Sequence, residues 1–454
     1  MSAAERAIDN MTKAQAMPRI APSGTAQCPV GRVRIGVFFD GTNNSMQRDG
    51  AVDPRNPGDA GNAATNVVKL FRVYKTEGTL LKPIYHHGVG TDSHAQEGQG
   101  SNDRAYDWRG NAFGGGGKAR VDWGIQQLSD FYSNNNNHLA QEKQFDTYGF
   151  SRGAAIARDF VNNVRNRGID NLQKRNGWKY RSVGEVVIRE PAYERHQGIV
   201  PTFVGVFDTV ASFGLGGLDI GNDLAGYDFF IDHTYVQRTV HMIAEDEIRG
   251  NFPVSSLFMD PGDKESWLPW RRRAYQEPQT YKATMVELFY PGAHSDVGGG
   301  YIITPAVEHE PERVVYRPGP RGVRMRVVIP EVPYEPPKQP ELALIPLRDM
   351  HKASVRAEVP LSGLTVNVPG DLAGWYGEYD GYRNGQPYAI GKQFIQSFDG
   401  DEYRPMYYEQ RGSLPAIVNL KLHYIHDSRW PHDKLLRRKQ RTVLYMGPQP
   451  KAGS

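Results

Sequence analysis

The stretch Tyr148–Phe160, YGFSRGAAIARDF, decides how this chain is read. Gly149, Ser151 and Gly153 form a G-x-S-x-G pentapeptide, which chance alone can produce, so its flanks carry the weight. Before it, QFDTYGF (144–150) has the β-branched and aromatic content of a short strand bounded by polar residues. After it, Ala154, Ala155, Ile156, Phe160, Val161 and Val164 recur at helical spacing, with Arg158, Asp159 and Asn162 on the other face. A strand running through small residues into a helix is the setting of a nucleophile elbow. Such a turn strains the serine backbone and leaves room only for glycine two residues to either side. It would lift Ser151 Oγ clear of the sheet edge, at a helix N-terminus that favours developing negative charge. The alternative is a glycine-lined strand–helix turn with no chemistry.

Working outward, VRIGVFFDGTNNS (33–45) reads as a buried strand ending in Asp-Gly and Asn-Asn turn chemistry. TNVVKLFRVY (65–74) has helical spacing, KPIYHHGVGT (82–91) is a second strand–loop unit, and VDWGIQQLSDFYSN (121–134) a second helix. Beyond the serine, PTFVGVFDTV (201–210) and ATMVELFYPGAHSDVGGGY (283–301) are strands running into loops, with a helix expected between them over TYVQRTVHMIAEDEIRGNF (234–252). Strand and helix in alternation predict an α/β fold, a mostly parallel sheet of the α/β-hydrolase kind with helices on both faces. Residues 1–31 read as a polar lead segment, one short helix followed by a Pro/Ser/Gly-rich linker, and 32–302 as the catalytic core. Residues 303–346 form a Pro-rich insertion containing an exposed hairpin, and 347–454 a C-terminal part packing on the core, a lid or a membrane- or partner-binding element.

A serine nucleophile needs a base within hydrogen-bond reach and an acid that holds the base in one tautomer. Asp208, in GVFDTVASFG, and His294, in FYPGAHSDVGGGY, both fall at expected strand ends. Ligands of open α/β sheets bind outside the carboxyl ends of the strands. Ser151, Asp208 and His294 therefore share one edge, in the chain order Ser, Asp, His of α/β-hydrolases. The oxyanion hole draws one backbone N–H from Arg152 and a second from Gly41 or Thr42, with Asp40 fixing that loop. His426, beside Asp427, is a rival base. Asp296 is a rival acid or a loop-fixing residue, His241 a satisfied histidine on the expected helix, and His86 and His87 candidates to line the edge.

Bulk properties limit the partners. The chain has 454 residues, net charge +3 and one cysteine, Cys28, so it holds no internal disulfide framework and too little positive charge to argue for nucleic acid. Mean hydropathy is −0.59. No apolar signal segment opens the sequence and no run of apolar residues is long enough to span a membrane, so synthesis in the cytoplasm is expected. FGGGGKAR (113–120) lacks the glycine spacing of a phosphate loop and has Ala119 after Lys118. Asp219, Asp223, Asp228 and Asp232 lack the spacing of a calcium loop, leaving a solvated face or, less simply, a calcium site; no metal or other cofactor is expected. SWLPWRRRAY (266–275) places Trp267 and Trp270 beside Arg271, Arg272 and Arg273, which suits either a membrane interface or a packed loop with a basic rim.

The blocks FFDGTNN, GVGT, GFSRGAA, VFDTVAS, AEDEIRGNFP and PGAHSDVGGGY occur in that order between residues 38 and 301. As a set they resemble the lipase effector family of type VI secretion. The resemblance implies a catalytic triad of Ser151, Asp208 and His294. It implies a phospholipase delivered without a signal peptide into the periplasm of rival bacteria, a secretion spike or adaptor that carries it, and a cognate immunity protein. It weakens beyond residue 301. A hydrolase-fold binding module without turnover, and an esterase or peptidase acting on a soluble substrate, remain as alternatives.

Overall fold

Strand β1 (Arg32–Phe39) sends successive side chains to opposite faces, and both faces are buried. That requires helices above and below a parallel sheet. In the computed structural model the described residues are 31–46, 63–91, 115–133, 137–169, 174–183, 186–194, 198–211, 227–232, 235–247, 252–257, 284–306, 313–318, 324–329, 336–382, 415–426 and 443–445, with positions 4, 5, 8, 11, 249, 308, 309, 311 and 334. After β1 come α1 (Asn66–Val73), β2 (Leu81–His86), α2 (Gly115–Ser133), β3 (Glu142–Phe150) and α3 (Arg152–Arg167). A hairpin of β4 (Lys174–Val183) and β5 (Val186–Glu194) precedes β6 (Ile199–Phe207), β7 (Arg238–Ala244), β8 (Val254–Ser256) and β9 (Met285–Tyr290). The five-residue α4 (His294–Gly298), the hairpin β10 (Arg313–Pro318) and β11 (Arg324–Ile329), and helices α5 (Leu344–Arg356), α6 (Gly370–Tyr382) and α7 (Pro415–His423) follow. Strand β12 (Val443–Tyr445) pairs in parallel with β8.

The main sheet has six strands in the order β2-β1-β3-β6-β7-β9, and every neighbouring pair is parallel. Strand order reverses between β1 and β3, because the chain leaves β1 toward β2 and returns to place β3 on the other side. Ligands of doubly wound sheets sit outside the strand ends at such a reversal. Val33, Ile35, Val37 and Phe39 join α2 and α3 in one buried cluster, while Phe38 joins α1, α5, α6 and α7 in another. The expected α/β class is observed, and β10 and β11 pair as an antiparallel hairpin.

One element differs from the sequence reading, and two contacts add to it. The helix expected over 234–252 is strand β7, whose residues 239–244 are all buried between β6 and β9. A short apolar run such as VHMIA fits either period, and the two flanking strands decide it. The lead segment is not wholly polar in role, since Ala4, Ile8 and Met11, at helical spacing, belong to the same cluster as α5. Glu5 there pairs with Lys352. Finally, Leu342, Ile345 and Leu347 lie in that core, so burial runs continuously across residue 346.

Candidate active site

The turn from β3 into α3 is held by backbone-to-backbone contact. A Cβ on Gly149 would sit 2.4 Å from the Gly153 carbonyl oxygen, and one on Gly153 would sit 2.2 Å from the Asp40 carbonyl oxygen. Only glycine fits at either place, and α3 is thereby pressed onto the end of β1. Between them Ser151 has φ 58° and ψ −126°. Left-handed φ on a residue with a side chain costs about 1–3 kcal/mol and persists only where the surroundings hold it. They do here: Ser151 N–H donates to Phe207 O (3.0 Å), and its carbonyl accepts from Val210 N–H (3.3 Å). Asn43 (φ 61°) and Asp208 (φ 43°) also have positive φ at the same sheet edge.

Asp208 follows β6 directly and is fully buried. Its Oδ1 accepts from Ala244 N–H at the end of β7 (2.9 Å), and its Oδ2 meets His294 Nδ1 at 2.5 Å. His294 opens α4, just past β9. Its ring lies between Phe150 (centroids 4.6 Å apart) and the edge-on Phe252 (5.0 Å), so Nδ1 is fixed on Asp208. Burial lowers the His294 pKa from its ordinary 6.5, against the opposing pull of Asp208, which favours a neutral imidazole at neutral pH. Ser151 and His294 thus lie at one edge, on either side of Phe150, whose ring packs on the imidazole.

Of the expected oxyanion donors, Gly41 N–H is already engaged by Asp40 Oδ1 (2.7 Å). Thr42 supplies the neighbouring amide, and its Oγ1 accepts from Arg152 Nε (2.6 Å), which ties the β1 loop to the residue after the serine. Burial, followed by repulsion from Arg120, pushes the Arg152 pKa down to about 10. Asp40 fixes the loop, accepting also from Thr65 Oγ1 (2.8 Å) and Tyr85 Oη (2.5 Å). Burial raises its pKa to about 6 despite those bonds.

The rival residues have other partners. His241 lies on β7, not on a helix. It is fully buried, accepts from Thr209 N–H (3.0 Å) at Nε2 and meets Glu287 Oε1 at Nδ1 (2.9 Å). His86 closes β2, its Nδ1 at 2.9 Å from His87 O and its ring edge-on to Trp123. His426 pairs with Asp296 (Nδ1 to Oδ1, 2.6 Å). Lys118 lies on α2 and pairs with Asp159. Asp228 accepts from Phe230 N–H and Asp232 pairs with Arg165. Asp219, Asp223, Asp427 and the segment Trp267, Trp270, Arg271, Arg272 and Arg273 lie outside the described residues.

Sequence reasoning missed the collar around His294. Glu247 Oε2 accepts from His294 N–H (3.3 Å) and is held by Arg249, whose guanidinium stacks 3.5 Å over the Phe252 ring. All three residues lie within AEDEIRGNFP, where the block itself was the signal.

A sequence model described as "T6SS, Phospholipase effector Tle1-like, catalytic domain" matches residues 34–197 and 184–314, more than half of the chain. The chain belongs to this Tle1-like effector family. Among solved structures, the Tle1 effector bound to the VgrG spike of the type VI secretion system is 17% identical, with 96% of this chain and 98% of that one aligned and a TM-score of 0.54. That likeness extends the shared fold beyond the block-bearing region. An uncharacterized Pseudomonas aeruginosa protein is 22% identical over 80% of this chain with a TM-score of 0.49, and the present chain spans 52% of its length. No curated protein matches the chain in sequence. Among the described residues no helix is long and apolar enough to cross a membrane.

The packing at the elbow gives a stability prediction. Gly153→Ala must separate α3 from the end of β1, and should lower unfolding free energy by about 3 kcal/mol or more. Urea melts unchanged by this substitution would contradict the close contact.

Proposed function

We propose that this Tle1-like effector hydrolyses carboxylic ester bonds of membrane phospholipids through an acyl-enzyme on Ser151. The observation that carries the reading is the buried Asp208–His294 pair at the same strand ends as the strained Ser151. Ser151 Oγ attacks the ester carbonyl carbon as His294 Nε2 takes its proton. Asp208 holds Nδ1–H and stabilises the imidazolium. The amides of Thr42 and Arg152 receive the charge on the carbonyl oxygen. Collapse expels the lysolipid alcohol, protonated by His294, and a water activated by the same imidazole releases the fatty acid.

Delivery to rival bacteria on a secretion spike, and neutralisation by a cognate immunity protein, fit the family and are part of the same proposal. The Tle1 effector solved on its VgrG spike supports the first.

The catalytic assignment is tested on a short soluble ester. Ser151→Ala and His294→Ala should each reduce kcat by about 10⁴-fold, and the double variant by little more. Because burial lowers the His294 pKa, the acid limb of kcat/KM should follow a single ionisation whose midpoint lies below the ordinary histidine value of 6.5. Full activity of His294→Ala, or an acid limb well above pH 6.5, would remove His294 as the base.

The second test is compartment. Expressed in the bacterial cytoplasm the protein should be tolerated, and directed to the periplasm by an added signal peptide it should kill. Ser151→Ala should abolish the killing. Folded protein harmless in both places would end the antibacterial reading and leave the hydrolase chemistry standing.

A further inference from the structure

Helix α4 has five residues, too few to hold its own geometry in water. Yet it carries His294, whose ring must stay within a fraction of an ångström of its working position. Neighbours have to fix it. Glu247 takes the His294 amide, and Asn66 Nδ2 takes the carbonyl of Val297 (2.9 Å). The amide just before the histidine, Ala293 N–H, donates to Asp296 Oδ2 (2.9 Å), which closes the first turn.

Asp296 is itself held from far along the chain. His426 N–H donates to Asp296 Oδ2 (2.9 Å) and His426 Nδ1 meets Oδ1 at 2.6 Å, so the carboxylate accepts three bonds, two of them from one residue. The His426 ring stacks on Tyr301 at 4.2 Å between centroids, the residue directly after the glycine run that follows α4. Its Nε2 is buried with no partner among the described residues. A buried, unpaired ring nitrogen costs about 1–3 kcal/mol, so packing alone would favour an apolar side chain here. An apolar side chain would leave Asp296 Oδ1 unpaired. His426 lies outside the stretch matched by the family's catalytic-domain model, which ends at residue 314.

We propose that His426 and Asp296 form a positioning clamp, through which the C-terminal part of the chain sets the start of α4 and so the orientation of His294 toward Ser151. The clamp rests on the reading of Ser151, Asp208 and His294 given above. It makes turnover depend on residues that touch neither the substrate nor the reacting atoms.

The experiment uses the full chain and a short soluble ester, at a temperature where each variant is shown to be folded by circular dichroism. His426→Ala should lower kcat by about tenfold to a hundredfold with KM changed by less than about twofold, the signature of a displaced base and not of lost binding. His426→Asn places an amide N–H where Nδ1 stood and should recover most of the loss. Asp296→Asn keeps an oxygen for the Ala293 and His426 amides and should lose less than His426→Ala. A kcat for His426→Ala within about twofold of the parent would overturn the clamp. Equal inactivity of His426→Ala and His426→Asn would also overturn it, by making the imidazole itself the reacting base. Ester hydrolysis that survives Ser151→Ala would instead overturn the underlying reading of the site.

Discussion

The structure turns on one steric constraint, the contact of the α3 N-terminus with the end of β1. Gly153 lies so close to the Asp40 carbonyl that no Cβ fits, and Gly149 is pressed on Gly153 in the same way. The constraint forces Ser151 into left-handed backbone geometry at the point where strand order reverses. It also brings the β1 loop against the residue after the serine, where Arg152 binds Thr42. Replace the close approach with an ordinary helix–sheet spacing, and the serine, the loop amides and the end of β6 no longer converge.

Charge is handled at this edge by burial with full pairing. Asp40, Asp208 and Asp296 are all buried, and each accepts two or more hydrogen bonds from backbone or side chains. Leaving any of them unpaired would cost more than its bonds contribute. The three carboxylates serve different parts of the same site: Asp40 shapes the loop, Asp208 orients His294, and Asp296 closes the turn beneath it. Desolvation runs the other way for the imidazole, lowering the pKa of His294 while Asp208 fixes which nitrogen faces the sheet.

Much of this was legible from local sequence. The glycines around Ser151 and the strands ending at Asp208 and before His294 are local patterns, and parallel order follows from strand and helix alternation. Strand β7 differs from the expected helix because VHMIA is short and apolar and fits either period. In the sheet His241 is satisfied by Glu287 on β9 and the Thr209 amide after β6. The pairing of His426 with Asp296 spans 130 positions, and no local spacing points to it. Ala4, Ile8 and Met11 went unread for a related reason: three apolar residues in a polar segment acquire a core role only through the α5 surface they meet. Sequence spacing encodes what a single element does, and distant pairings emerge from the assembled sheet.

The central claim is that Ser151 is an activated nucleophile and not a serine caught in a tight turn. Covalent labelling tests it most directly. Incubating the folded protein with a fluorophosphonate and mapping the adduct by peptide mass spectrometry should give one modification, on the peptide containing Ser151. Labelling should be lost in His294→Ala and slowed as pH falls below 6.5, the ordinary histidine value from which His294 is lowered. No adduct on Ser151, or labelling indifferent to the loss of His294, would contradict the account.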